Sequence, residues 1–157
     1  MSMELNEPPR TGYRVFEFVT SLSWSHDLHG VLRAEGKPTL DISSPPEFQG
    51  GTGVWTPEDL FVSSINACLM TTFLASAARK RVKVVSYTGS ARGSLEHEEG
   101  VYRFTRILLT PRVIVEAGTN VKEVEHLIRD AHLRCFIARS VTTEVEVVPE
   151  ISWAPAD

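Results

Sequence analysis

Two cysteines are the residues of this sequence best suited to chemistry. Cys68 and Cys135 are the only cysteines among its 157 residues, and each falls in an apolar, helix-like segment. A cysteine of a reducing compartment is most often a small buried hydrophobe. The other interpretation is a redox pair that helix packing brings together, without the C-x-x-C motif of thioredoxins. The residue pattern leaves both interpretations open.

Histidine and acidic residues give weaker signals. His132 precedes Cys135 by three residues, but this pair supplies two ligands where a metal site uses three or four. We therefore predict no metal site. Glu58 falls in the first turn of a predicted helix, where the helix dipole favours a carboxylate. It lies ten residues before Cys68, about 15 Å along a helix axis, so only a bridging side chain could link the two.

Two helices are predicted to carry the cysteines. The first begins with Thr56 as N-cap and Pro57 at the first position, and it is expected to end near residues 79–81. The second begins at Asn120, with Glu123 three residues later. Its apolar residues recur every three or four positions and predict one buried stripe. The stripe comprises Val121, Val124, Ile128, Ala131, Cys135 and Ala138.

The remaining segments alternate in polarity or are rich in glycine and proline. Alternation predicts strands at 14–24, 31–34, 39–42, 82–95, 101–115 and 141–149, and a loop at 43–55. A bend or bulge is expected at Pro111. This order of elements predicts a single α+β domain over residues 1–157, with two hydrophobic helices packed against mostly antiparallel sheet. Residues 1–12 are predicted to form a flexible N-terminal arm.

Composition and charge limit the possible binding partners and the possible cellular compartment. The chain is 42% hydrophobic and 23% charged, with a net charge of −4, so no basic excess favours nucleic acid. The N-terminus is polar and acidic and shows no signal peptide, which favours the cytoplasm. Residues 60–78 carry no charge, but their serine, threonine and asparagine content favours a core helix over a membrane span.

Three stretches of the sequence resemble the OsmC/Ohr family of osmotically induced and organic-hydroperoxide-resistance proteins. They are SSPPEFQGG at 43–51, TPEDLF at 56–61 followed by NACL at 66–69, and AHLRCF at 131–136. The likeness extends over about residues 14–150. It implies an α+β fold in which two chains form an intertwined homodimer.

The resemblance also implies a thiol peroxidase of oxidative-stress defence that acts on organic hydroperoxides or hydrogen peroxide. Cys68 would match the peroxidatic cysteine and Cys135 the resolving cysteine, with a dithiol or lipoyl-type reductant and no metal or organic cofactor. Glu58 would match the glutamate that holds an arginine against the reactive thiolate.

The expected loop arginine is not found in this sequence. Counting back from Pro45 places it at His26–Asp27. Arg33, His26 and His29 are the cations that could replace it. Without a cation, burial is expected to raise the pKa of the Cys68 thiol.

A second interpretation belongs to a different class of function. In it the chain is a non-catalytic OsmC-like dimer that binds a small apolar ligand in a pocket lined by Phe61 and Phe73. The cysteines are then redox-sensing or structural. A third, less favoured, is an interaction protein with buried structural thiols.

Overall fold

The computed structural model describes residue 12 and residues 14–156, and these form two compact units, 1–55 and 56–157. The predicted N-terminal arm, apart from Gly12, lies outside the described residues. The single domain over 1–157 stays a prediction.

The first unit is a three-stranded antiparallel sheet in the order β1-β2-β3. Its strands are β1 (Ser21–His26), β2 (His29–Arg33) and β3 (Leu40–Ser43). The predicted strand at 14–24 is therefore wrong in its first part, because regular pairing begins only at Ser21, opposite Arg33. The loop that follows β3 contains a 3-10 turn, Pro46–Phe48.

The second unit contains both predicted helices and a second sheet. Its elements are α1 (Pro57–Arg79), β4 (Val84–Glu98), β5 (Val101–Val115), α2 (Val121–Arg134), β6 (Glu144–Val147) and β7 (Glu150–Trp153). The long β4–β5 hairpin is antiparallel, whereas β6 and β7 both pair with β5 in parallel. The α+β class with two helices is confirmed. The sheet of this unit is mixed, and it contains a last strand, β7, that the sequence pattern did not predict.

Pro111 is paired in β5 without the predicted bulge. It lies opposite Gly89, and the irregularities of the hairpin fall elsewhere, near Val84 and Leu95. On its other edge β5 pairs with β6 up to Leu109 and with β7 from Arg112 onward. Proline lacks an amide proton, so it is tolerated in this gap between two partner strands.

Helix α1 begins as predicted. The Thr56 hydroxyl accepts a hydrogen bond from the Asp59 amide (3.1 Å), and the Asp59 carboxylate accepts one from the Thr56 amide (3.1 Å). The helix also approaches β4 closely, because a Cβ on Gly93 would lie only 2.6 Å from Cγ2 of Val62. Its buried face joins the core of the second unit; those residues are Ile65, Leu69, Phe73, Ser76 and Ala77.

Helix α2 is shorter than the predicted stripe. Asn120 caps it by accepting hydrogen bonds from the amides of Lys122 (3.1 Å) and Glu123 (3.4 Å). The helix ends at Arg134, and Cys135 is its C-cap in an extended conformation rather than a helical residue. Residues 138–140 form a separate 3-10 turn. The 3-4 spacing continued across the break because both segments place apolar residues toward the same core.

Among the described residues, one helix is long and apolar enough to cross a membrane by length and composition alone. This helix is α1, with a mean hydropathy of 1.6 over its most apolar 18-residue window. A core helix passes the same test. The buried residues of α1 lie within the hydrophobic core formed with β5 and α2, as expected for a central helix.

Candidate functional site

The structure brings the two cysteine thiols together where α1 meets the end of α2. Cys68 is half-buried near the middle of α1, one residue before the core residue Leu69. Cys135 is 1% exposed and follows the last residue of α2. Both are free thiols, and the two sulfur atoms are hydrogen-bond partners. The two thiols therefore interact, and the redox pair stays a prediction.

The Cys68 sulfur lies among hydrogen-bond donors. Burial raises the pKa of this thiol, but donors outweigh burial and leave the pKa below its ordinary value. The donors are the Cys135 thiol, the backbone amides of Ile137 and Phe136, and the hydroxyl of Thr72, whose oxygen is 4.0 Å from the sulfur. The expectation that burial would dominate is therefore wrong, because uncharged donors stabilise the thiolate.

The Cys135 thiol is shifted in the opposite direction. Burial and the hydrogen bond to Cys68 raise its pKa to about 11, despite the Ala138 amide that donates to its sulfur (3.4 Å). A thiol that donates to a neighbouring thiolate is stabilised in its protonated form. The pair therefore combines one activated thiol with one that keeps its proton.

Three uncharged groups of this site were not predicted from the sequence. They are Thr72 and the amides of Phe136 and Ile137. For Thr72 a signal was present, since a residue four positions after Cys68 lies on the same face of a helix. The amides gave no signal, because their direction depends on where α2 ends.

Glu58 lies in the first turn of α1 with one carboxylate oxygen buried. Among the described residues this Oε2 atom has no hydrogen-bond partner. The buried Nδ1 of His132 likewise has none within residues 14–156, and burial lowers the pKa of that histidine. The predicted role of Glu58, holding a cation, stays a prediction.

The three candidate cations lie in the first unit. The Arg33 guanidinium donates to Oγ of Ser23 (2.7 Å) and to the carbonyl of Val31 (3.3 Å). The rings of His26 and His29 stack with centroids 4.6 Å apart. Their predicted role beside Cys68 stays a prediction.

The two phenylalanines predicted to line a pocket differ in exposure. Phe73 is 0% exposed, and its ring lies 5.9 Å from that of Tyr87, so it is a core residue in this structure. Phe61 is half-buried, with its ring 4.9 Å from that of Phe104. The pocket prediction therefore remains for Phe61. In the part of the chain that the structure describes, no three histidine, cysteine or acidic side chains converge as a metal site would require.

Comparison with solved structures supports the fold strongly. An OsmC-like protein of unknown function from Vibrio cholerae matches with 26% identity and a TM-score of 0.80, over 86% of this chain and 99% of that chain. A Legionella pneumophila structure is described as an organic hydroperoxide resistance protein OsmC, predicted redox protein, regulator of sulfide bond formation. It has 21% identity and a TM-score of 0.70, over 89% of this chain and 99% of its own.

A third structure extends the same likeness. It is an organic hydroperoxide resistance protein from Elizabethkingia anophelis, with 18% identity and a TM-score of 0.70, over 90% of this chain and 99% of its own. No curated protein matches the sequence. The family described as OsmC-like protein matches residues 50–150, which include the segments of both cysteines. With most of its length inside that match, this chain belongs to the OsmC-like protein family.

Proposed function

We propose that this protein is a cysteine-based thiol peroxidase of oxidative-stress defence that reduces organic hydroperoxides or hydrogen peroxide. Cys68 is the nucleophile, Cys135 resolves the intermediate, and no metal or organic cofactor takes part. The observation that carries the proposal is the contact between two free thiols whose pKa values are displaced in opposite directions. The names of the Legionella and Elizabethkingia neighbours support a hydroperoxide as the substrate.

The lowered pKa of Cys68 suits the first step. Its thiolate attacks one oxygen of the peroxide, and the O–O bond breaks as the S–O bond forms. The leaving alkoxide takes a proton and departs as an alcohol, or as water from hydrogen peroxide. The sulfur is oxidised to a sulfenic acid and the peroxide is reduced.

The proximity of Cys135 suits the second step. Its sulfur attacks the Cys68 sulfenic acid, forms the disulfide and releases water. The raised pKa of Cys135 keeps it protonated until then, so it does not compete for the peroxide. A dithiol or lipoyl-type reductant then reduces the disulfide by thiol exchange and is itself oxidised to a disulfide. A reducing compartment such as the cytoplasm would maintain that reductant.

A second copy of the chain is the proposed partner of α1. Only 28% of the most apolar window of this helix is buried. Its exposed residues include three alanines, Ala67, Ala75 and Ala78. An apolar helix left open in this way is typical of a chain that completes its core in a homodimer.

Glu58 is proposed to hold a cation that assists Cys68. A buried carboxylate oxygen without a partner is costly, so a charged donor at that oxygen would be stabilising. Arg33, His26 and His29 remain the candidates for that donor.

The test is peroxide consumption by the purified protein with a dithiol. We expect the wild type to turn over an alkyl hydroperoxide and Cys68→Ser to fall to the background rate. Cys135→Ser should consume about one peroxide per chain and then stop, since nothing resolves the sulfenic acid. The control is Thr71→Val, which removes an exposed hydroxyl bonded to the backbone of α1.

Equal peroxide consumption by the wild type and Cys68→Ser would overturn the peroxidase proposal. The non-catalytic dimer that binds a small apolar ligand would then take its place, with Phe61 as the residue to test for ligand contact.

A further inference from the structure

Two adjacent threonines of α1 use their hydroxyl groups differently. The Thr71 hydroxyl is exposed and donates to the backbone carbonyls of Ala67 (3.1 Å) and Cys68 (3.2 Å). Thr72 is half-buried, and its oxygen is 4.0 Å from the sulfur of Cys68. Bonding to the preceding turn is the ordinary use of a helical threonine. The Thr72 hydroxyl instead faces the sulfur that lies one turn before it.

The chain that leaves α2 also acts on the two sulfurs. The backbone amides of Ile137 and Phe136 lower the pKa of Cys68, and the Ala138 amide donates to the Cys135 sulfur (3.4 Å). These amides are available because the helix ends at Arg134 and Cys135 is extended (φ −61°, ψ 114°). Had the helix continued to residue 138, they would have donated to carbonyls of the preceding turn.

We propose that Thr72 is a positioning residue whose hydroxyl holds the Cys68 sulfur as an oriented thiolate. The inference rests on the proposed function in taking Cys68 as the nucleophile. A thiolate only accepts hydrogen bonds, so the Thr72 hydroxyl turns to donate when Cys68 loses its proton. Uncharged donors do this without a second buried charge, which would need its own partner.

Thr72 is fixed to the rigid helix that carries Cys68, so it orients the sulfur relative to α1. Loss of its hydroxyl should lower the fraction of Cys68 present as thiolate at neutral pH.

The experiment measures alkylation of Cys68 by iodoacetamide against pH in the reduced, full-length protein, with the modified peptide identified by mass spectrometry. No peroxide is present, so the result does not depend on turnover. We expect Thr72→Val to shift the midpoint of the Cys68 profile to higher pH and to lower its rate at pH 7 by about threefold to tenfold. Valine has nearly the shape of threonine, so helix packing is preserved.

Two matched variants separate the effect of the Thr72 hydroxyl from any effect of the substitution on folding. Thr72→Ser restores the hydroxyl and should return the profile to within about twofold of the wild type. Thr71→Val deletes the neighbouring hydroxyl and should leave the profile unchanged. A Thr72→Val profile that superimposes on the wild type, or an equal shift in Thr71→Val, would overturn the role of Thr72.

A shifted alkylation profile in a protein that consumes no peroxide would leave this inference standing and remove the peroxidase function.

Discussion

The two cysteine thiols interact with each other, yet their surroundings differ. Cys68 is half-buried within a long helix and has a lowered pKa, whereas Cys135 is fully buried at the end of a shorter helix and has a pKa raised to about 11. Burial raises the pKa of both thiols. The difference therefore comes from the direction of the hydrogen bond between them and from the number of further donors that each sulfur receives.

This contrast shows that uncharged groups can lower the pKa of the Cys68 thiol. A buried cation near Cys68 would require a compensating charge, while a hydroxyl and two backbone amides require none. In return, Cys135 is harder to ionise, because its thiol donates the hydrogen bond that the two cysteines share. In the proposed peroxidase, this asymmetry favours the order in which the Cys68 thiolate attacks first and the protonated Cys135 thiol follows.

The largest expected effect is a difference in thiol reactivity. At pH 7 the raised pKa of Cys135 keeps that thiol almost wholly protonated, while the lowered pKa of Cys68 leaves a larger fraction of Cys68 ionised. The lower nucleophilicity of a less basic thiolate offsets part of this advantage. We therefore expect Cys68 to be alkylated at least about tenfold faster than Cys135, as measured by peptide mass spectrometry.

The matched control for this prediction is Cys68→Ser. Cys135 remains buried in that variant and should still react slowly at pH 7. Equal alkylation of the two cysteines in the wild type would contradict the contrast between them.

The sequence predicted the two helices that position the cysteines. It did not predict the contacts at the cysteine sulfur atoms. The starts of both helices could be predicted because Thr56 and Asn120 are local signals that act on amides two or three residues away. The end of α2 could not, since Ala138 continued the apolar spacing beyond the helix. The amide donors at the site depend on that end.

Two other differences between the sequence prediction and the structure also arise from contacts that are distant in the chain. Pro111 suggested a bulge in isolation, but it lies where β5 changes partner from β6 to β7. The direction of the Cys68 pKa shift was also predicted wrongly, because the pattern shows that a helix face is apolar but not which donors surround one atom on it. Such donors come from residues that are distant in the chain and near in the fold.

An effect of intermediate size is expected on stability at alkaline pH in the reduced protein. Cys135 keeps its proton in the folded state to about pH 11, whereas a free thiol titrates near 9. Its contribution is therefore fully present below pH 9 and is lost as the pH rises through 11, by roughly 2 kcal/mol. The lowered pKa of Cys68 has the opposite effect on the free energy of unfolding. Its stabilising contribution is present when the pH is above the ordinary pKa of a thiol and is lost as the pH falls.

Single substitutions should separate these two contributions. In urea unfolding from pH 7 to 10.5, the free-energy difference between the wild type and Cys135→Ala should shrink as the pH rises. The difference between the wild type and Cys68→Ala should grow. Two differences that stay constant with pH would show that the thiols titrate alike in the folded and unfolded states.

The smallest expected effect concerns the caps of the two helices. Thr56 is 6% exposed and shares three hydrogen bonds with Asp59, whereas Asn120 is exposed and only accepts from two amides. Thr56→Ala should lower the free energy of unfolding by about 1–2 kcal/mol, and Asn120→Ala by about 0.5–1 kcal/mol.

Urea unfolding at pH 7 measures both cap variants, and Thr56→Ser should restore most of the loss because it keeps the hydroxyl. Cys68 lies about 18 Å along α1 from Thr56, and Cys135 lies at the opposite end of α2 from Asn120. Neither cap variant should therefore change the ratio of alkylation rates of the two cysteines. A changed ratio would mean that the contrast between the thiols depends on the stability of whole helices, whereas an unchanged ratio places its origin in the donors around the two sulfur atoms.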